Sequence, residues 1–120
     1  MKQGARGGGL DRKEPDTAAF VLHPHVRSDR DARDPEPALE EAVSLAAALP
    51  GLMVDGAQVV RLPRIHPGKL FGSGKIEELG QLFKAQEIEL VLIDGHVTPV
   101  QQRNLEKEWG VKILDRTGLI

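Results

Sequence analysis

Apolar residues recur along this chain in two alternating patterns, short continuous runs and stripes with helical spacing. Continuous runs typical of buried strands occupy residues 18–23, 57–62, 89–93 and 111–114. Between these runs, the spacing of apolar residues predicts helices over residues 35–49, 75–86 and 99–109. The order β-α-β-α-β-α-β predicts an α/β fold, a parallel four-stranded sheet with helices on both faces. We expect the first and third strands at its centre, because they are the most uniformly apolar.

The first two helices each have a clear apolar stripe. The first is expected to bury Leu39, Ala42, Val43, Ala46 and Leu49. It should stop at the Pro50-Gly51 pair. The second is expected to bury Ile76, Leu79 and Phe83, with Leu82 on its flank.

The residues at the start of the third helix are typical of a helix N-terminus. Thr98 can cap the first backbone N–H groups, Pro99 suits the first helical position, and Gln101 can complete a capping box. Gly110 should end the helix.

The remainder of the third helix is polar. Its apolar positions are Val100, Leu105 and Trp109. The run Gln101-Gln102-Arg103-Asn104 either forms a solvated outer face or contacts a polar partner such as RNA.

Composition restricts the possible functions. A length of 120 residues suits one domain, and a net charge of −2 disfavours general electrostatic binding of nucleic acid while allowing a local basic patch. The absence of cysteine excludes disulfides, thiol nucleophiles and thiolate metal sites. No apolar run approaches the length of a membrane span, so we expect a cytoplasmic protein. Residues 1–17 are glycine-rich and charged, which predicts a flexible tail before a domain over residues 18–120. The abrupt apolar end predicts a domain cut from a longer protein.

Ligands of parallel sheets bind beyond the carboxyl ends of the strands, where this chain places acids and histidines. No nucleophile is fixed beside a base, so ordinary turn residues are favoured over an enzyme site. A metal site would draw on His23, His25, His66 and His96. We expect the His23-Pro24-His25 pair to point to opposite faces of its strand, and therefore predict no metal site.

The loop before the second helix is rich in glycine and basic residues. A Walker A loop would need glycine in place of Lys69 and Ser or Thr in place of Ile76, and a dinucleotide fingerprint would need glycine in place of Glu77. The Gly72-Ser73-Gly74 turn nevertheless leads into a helix N-terminus. No acid lies among the basic residues of this segment, Arg61, Arg64, Lys69 and Lys75. The segment is either a solvated loop or a site for an anion such as an RNA phosphate.

Three segments, taken in order, resemble the HflX-type translational GTPases. They are LFGSGKIEEL at residues 70–79, DGHVTPVQQRNLE at residues 94–106 and VKILDRTGLI at residues 111–120. The resemblance covers residues 18–120 and implies the N-terminal domain of a GTPase that binds the large ribosomal subunit. Members of this family can split stalled ribosomes, notably under heat stress, and their N-terminal domain approaches ribosomal RNA.

In that family a helical linker and a G domain follow, and neither is in this chain. The resemblance therefore implies no GTP hydrolysis and no cofactor for this fragment, with GTP and Mg²⁺ expected for the full-length protein. The expected partners are the large ribosomal subunit, its RNA and the protein's own G domain, and we expect a monomer. Alternatives are a regulatory domain that restrains the G domain and a stand-alone nucleotide-binding domain.

The basic loop, the polar helix and the resemblance together define the candidate residues. The predicted RNA- or ribosome-binding residues are Arg61, Arg64, Lys69, Gly72, Ser73, Gly74, Lys75, Gln101, Gln102, Arg103 and Asn104. The residues assigned to structural parts of the motifs are Asp94, Thr98, Pro99, Asp115, Arg116 and Thr117.

Overall fold

The structure is a computed structural model and describes residues 17–26 and 34–115. Its elements are β1 (Thr17–Val26), α1 (Pro35–Ala47), β2 (Leu52–Leu62), α2 (Ser73–Ala85), β3 (Leu90–Ile93), α3 (Pro99–Trp109) and β4 (Lys112–Asp115). The predicted tail up to residue 16 lies outside the described residues, and β1 begins at Thr17.

All the described strands are parallel and lie in the order β2-β1-β3-β4. This order confirms the predicted α/β fold and places β1 and β3 at the centre. Every residue of β3 is buried, as are residues 18–23 of β1. Continuous burial on both faces explains why these strands carry uninterrupted apolar runs.

Helices cover both faces of the sheet, as predicted. On one face α1 packs Ala42 and Ala46 against Ala19 and Val21 of β1. On the other face, α2 and α3 enclose the larger part of the core, a cluster that includes Phe20, Leu22, Val60, Leu79, Phe83, Leu105 and Ile113. The predicted stripe of α2 is confirmed, because Ile76, Leu79 and Phe83 are all buried.

Other boundaries differ from the prediction. β2 begins at Leu52 and β1 runs to Val26, because the two strands pair along their whole lengths. Asp55 and Gly56 look like turn residues in the sequence, yet they lie inside β2. A Cβ at Gly56 would approach the Phe20 ring to 2.6 Å, so glycine makes room for that ring. α1 ends at Ala47, before the predicted Leu49, because the residue preceding Pro50 disfavours helical backbone.

The buried stripes of α1 and α3 also need correction. The buried residues of α1 are Ala38, Ala42 and Ala46, and the larger Leu39 and Val43 are half-buried around them. Small residues allow this helix to approach the sheet closely. In α3, the apolar Val100 is 53% exposed. The buried residues of this helix are Gln101 and Leu105.

An aromatic cluster joins the two helices that share a face. The Trp109 ring meets Phe83 edge-on with ring centroids 4.9 Å apart, and its indole N–H donates to the Ile76 carbonyl at 2.9 Å. A Cβ at Gly80 would lie 3.2 Å from the indole, so Gly80 permits this close packing. Within the described ranges, no helix is long and apolar enough to cross a membrane.

Candidate nucleic-acid interface

The loop between β2 and α2, residues 63–72, is closed into a compact turn. The backbones of His66 and Leu70 bond to each other twice, with N···O distances of 3.1 and 2.9 Å. The His66 Nδ1 atom accepts hydrogen bonds from the backbone N–H groups of Gly68 and Lys69, both at 3.1 Å. Because two donors converge on Nδ1, the proton of the neutral ring must lie on Nε2. This assignment follows from the hydrogen-bond geometry.

Two buried residues anchor the end of the turn. Leu70 and Phe71 are 1% and 0% exposed. Leu70 has a φ of 70°, in the left-handed region that a leucine rarely adopts. Such a conformation costs on the order of 1–3 kcal/mol, so the burial of Leu70 and its pairing with His66 must hold it there.

Helix α3 fastens the turn from the side. Gln101 Nε2 donates to the His66 carbonyl at 2.9 Å, and Asn104 Nδ2 donates to the Gly68 carbonyl at 2.7 Å. One turn further on, Glu108 pairs with Lys69 at 3.1 Å. Gln101, Asn104 and Glu108 follow helical spacing and therefore share the face of α3 that meets the loop.

The predicted capping box of α3 is confirmed. Thr98 Oγ1 accepts from the Gln101 N–H at 3.1 Å, and Gln101 Oε1 accepts from the Thr98 N–H at 3.0 Å. Pro99 occupies the start of the helix, and Gly110 ends it with a φ of 67°. Gln101 thus serves both the helix cap and the loop, and it is 3% exposed.

Gln102 turns toward the opposite flank. Its Nε2 donates to the Ile113 carbonyl at 3.2 Å, while the Ile113 N–H donates to Glu106 Oε2 at 3.3 Å. β4 lies at the edge of the sheet. The Lys112 N–H donates to the Glu89 carbonyl just before β3, whereas the backbone groups of Ile113 face the open side of the strand. Gln102 and Glu106 therefore satisfy backbone groups on the open side of this edge strand.

Arg103 differs from its neighbours. It is exposed, and no hydrogen bond or ion pair joins it to the part of the chain that the structure describes. Lys107, one turn further along the same outer stripe, is also exposed and equally unpaired there. Val100 completes this stripe at its N-terminal end. The outer face of α3 thus presents two free cations, whereas the amides beside them bond inside the protein.

Three of the four cations in the basic segment lie close to a carboxylate. Glu108 pairs with Lys69 at 3.1 Å, Glu78 with Lys75 at 3.2 Å, and Glu36 lies 3.9 Å from Arg61. These pairs are largely exposed, and exposed pairs contribute little stability. Arg64 is exposed and has no such partner among residues 17–26 and 34–115.

The glycine turn is exposed at Gly72, Ser73 and Gly74, and α2 begins at Ser73. Gly72 is the N-cap residue, and no side chain caps this helix start. The first N–H groups of α2 therefore keep their donor capacity, and the helix dipole adds positive potential there.

The carboxyl ends of the central strands carry a buried polar pair. His23 Nδ1 lies 2.8 Å from Asp94 Oδ2, with side chains 9% and 1% exposed. His23 and His25 have stacked rings with centroids 6.5 Å apart, so the expectation that they face opposite sides is wrong. Residues two apart along a strand share a face. In the described ranges, no group of three or more histidines and acids could hold a metal ion.

Asp115 has a structural contact at the same edge. Its carboxylate accepts from the Val97 N–H at 3.3 Å and so supports the segment that leads into α3. The motif residues Arg116 and Thr117 lie outside the described residues.

Sequence reasoning found the loop and the helix but missed how they fit together. His66 was considered as a metal ligand, although its ring organises the turn. The signal available in the sequence was the helical spacing of Gln101, Asn104 and Glu108, which places three polar side chains on one face.

Comparison with known proteins identifies the family. Residues 36–120 match the protein family described as GTP-binding GTPase N-terminal. The chain is 40% identical over 108 residues to the GTPase HflX of Magnetococcus marinus, covering 88% of this chain and 24% of that protein. It is 34% identical over 113 residues to the GTPase HflX of Escherichia coli, covering 92% and 25%. Identity to the GTPase HflX of Chlamydia pneumoniae is 35% over 112 residues, covering 92% and 24%.

The chain thus spans about a quarter of the length of the curated relatives that it matches. The family match covers well over half of the chain and includes the β2–α2 loop and α3. This chain therefore belongs to the GTP-binding GTPase N-terminal family, as an N-terminal domain of the HflX type.

Proposed function

We propose that this domain binds the large ribosomal subunit through its RNA, as part of an HflX-type GTPase that helps to split or rescue ribosomes under stress. The full-length protein would bind GTP and Mg²⁺ in a separate G domain and act in the cytoplasm, whereas this fragment would act as a monomeric binding module. The proposal rests on the family, because the curated relatives are named as HflX GTPases.

The observation that carries the RNA part is the group of unpaired exposed cations. Arg64 on the loop and Arg103 and Lys107 on α3 have no acidic partner in the described part of the chain. Free cations can each neutralise a phosphate without first breaking an ion pair. The open N-terminus of α2, at Gly72, Ser73 and Gly74, supplies further donors beside them.

Within this proposal the predicted residues divide into two groups. Those that would contact RNA directly are Arg61, Arg64, Lys69, Gly72, Ser73, Gly74, Lys75 and Arg103. Gln101, Gln102 and Asn104 would instead act by holding the loop and the sheet edge in place, since their amides already bond to backbone carbonyls.

Co-sedimentation of the domain with purified large subunits, across a salt series, tests the proposal. We expect binding that weakens steeply as salt rises, because bound phosphates release counterions. Replacing Arg64 and Arg103 together by alanine should weaken binding and reduce the salt slope by about 1–2. The matched control replaces Lys84 and Lys112, two cations that are exposed elsewhere. No binding by the folded wild-type domain at low salt would refute the proposal.

A second function, restraint of the G domain, is favoured by a groove between α2 and α3. The groove has a volume of about 860 Å³ and a partly apolar floor that includes Ile76, Phe83 and Trp109. Its rim mixes both charges, with Lys84, Glu87, Lys107 and Glu108. An apolar floor with a polar rim is typical of protein interfaces. This function predicts that deleting the domain from the full-length protein raises its basal GTPase rate, and an unchanged rate would contradict it.

A further inference from the structure

The β2–α2 loop contains an exposed segment held by buried anchors. Residues 63–67 are all exposed, while Leu62 before them and Leu70 after them are 3% and 1% exposed. Proline at positions 63 and 67 restricts the backbone of this segment. The loop is therefore exposed and at the same time conformationally restricted, which lowers the entropy cost of binding a partner.

His66 lies at the centre of this segment with its two ring nitrogens in different roles. Nδ1 accepts from two backbone N–H groups and is fully used inside the turn. Nε2 must then carry the proton, and no bond within the described residues occupies it. The exposed ring therefore presents a fixed N–H donor two residues from the free guanidinium of Arg64.

The loop backbone is strained where it returns to the core. Leu70 adopts a φ of 70° and closes the turn through its two bonds to His66. Strained residues of this kind gather at functional sites, and they persist where surrounding contacts enforce them. Here the burial of Leu70 and its two bonds to His66 enforce the conformation, and the amides of Gln101 and Asn104 hold the His66 and Gly68 carbonyls of the same turn.

We propose that the His66 Nε2–H and the Arg64 guanidinium together bind a phosphate of ribosomal RNA, with Gln101 and Asn104 as positioning residues. This inference rests on the proposed function. It adds the neutral His66 ring to the cations that would contact RNA. A phosphate fits because its oxygens accept from both donors and its negative charge complements the guanidinium. Ile65, which lies between them in the sequence and is 47% exposed, would pack on the adjacent ribose.

The decisive variant is His66→Asn. The asparagine Oδ1 can replace Nδ1 as acceptor for Gly68 and Lys69, but the variant lacks the outward Nε2–H. We expect affinity for large subunits to fall about tenfold, as for loss of a hydrogen bond to a charged group. Hydrogen exchange at the Gly68 and Lys69 amides should remain as in the wild type, which shows that the turn is intact.

The positioning residues give a different signature. Asn104→Ala should speed hydrogen exchange at the loop amides and weaken binding, while leaving the salt slope unchanged because no phosphate contact is removed. Arg64→Ala should instead reduce the salt slope by about 1. Equal salt slopes in the two variants would contradict the assigned roles.

A third test follows the exposure of His66 in the wild-type protein. Hydroxyl radicals oxidise exposed side chains, imidazole rings included, whichever ring nitrogen carries the proton, so mass spectrometry can follow His66 with and without large subunits. We expect several-fold protection of His66 in the complex. If wild-type protein binds the subunit but His66 reacts at the same rate, or His66→Asn binds equally well, the inference is wrong and the proposed function stands. If wild-type protein does not bind, the proposed function itself fails.

Discussion

The inner and outer faces of α3 look alike in the sequence and differ completely in the fold. The amides of Gln101, Gln102 and Asn104 bond to backbone carbonyls of the loop and of the edge strand. Arg103 and Lys107 on the outer face have no partner among the described residues. A polar helix face is therefore not necessarily a solvated one, because amides can satisfy backbone groups that secondary structure leaves unpaired.

The largest expected effect on stability comes from replacing Gln101, whose side-chain amide bonds both to the start of α3 and to the β2–α2 loop. Gln101→Ala would leave the Thr98 N–H without its present partner, and the His66 carbonyl would keep only its bond from the Leu70 N–H. A lost hydrogen bond to the loop and a lost half of the capping box predict a decrease of about 2 kcal/mol in the free energy of unfolding. Urea denaturation measures this decrease. Arg103→Ala, two residues away on the outer face, is the control and should change stability by no more than about 0.5 kcal/mol. Equal effects would remove the distinction between the two faces.

A smaller effect is expected at the other half of the capping box. Thr98→Ala removes the hydroxyl that accepts from the Gln101 N–H but leaves the bond from Gln101 to the loop. We expect a loss of about 1 kcal/mol, the usual contribution of an N-cap side chain. Thr98→Ser keeps the hydroxyl and should recover most of the loss. A loss as large as that of Gln101→Ala would show that the cap, not the loop contact, accounts for the importance of Gln101.

The third prediction concerns the edge of the sheet. Replacing Gln102 and Glu106 together by alanine would expose the N–H and carbonyl of Ile113 on the edge strand. Exposed edges pair with other chains, so self-association should increase while stability falls by less than about 1 kcal/mol. Sedimentation velocity over a concentration series detects this association. The matched control replaces Glu77 and Gln81, an exposed pair on α2 with the same spacing. Unchanged sedimentation in the Gln102 and Glu106 variant would mean that these side chains do not protect the edge.

The inner and outer faces also explain what the sequence could and could not predict. The central position of β1 and β3 followed from their apolar runs, because burial on both faces leaves a continuous signal in these two strands. The capping box followed from local spacing at Thr98 and Gln101. The partner of Asn104 lies 36 residues away in a loop without regular structure. No periodicity reports such a contact, since it depends on how two elements dock.

The same limit applies to the charges. Lys69 and Glu108 are 39 residues apart and meet through the docking of the loop on α3. No acid lies between Arg61 and Lys75 in the sequence, and the pairing of Lys69 with Glu108 could not be foreseen from it. Gly56 is a different case. Glycine is typical of turns, and the predicted strand began after it at residue 57, yet Gly56 lies inside β2 and makes room for Phe20.

The smallest expected effect on stability tests the outer face directly. Arg103→Ala and Lys107→Ala together should change the free energy of unfolding by less than about 0.5 kcal/mol, because neither side chain has a partner to lose within the described residues. The two like charges are one helical turn apart and repel each other, so their removal also relieves a small destabilising interaction. Thermal and urea unfolding measure the change, and the control Lys112→Ala removes a cation on the edge strand β4, outside the groove that Lys107 lines. Affinity for the large subunit should nevertheless fall in the Arg103 and Lys107 variant and not in the control. If the free energy of unfolding falls by more than about 1 kcal/mol, Arg103 and Lys107 contribute to the fold. A loss of subunit binding could then not be assigned to a direct contact of the outer face with RNA.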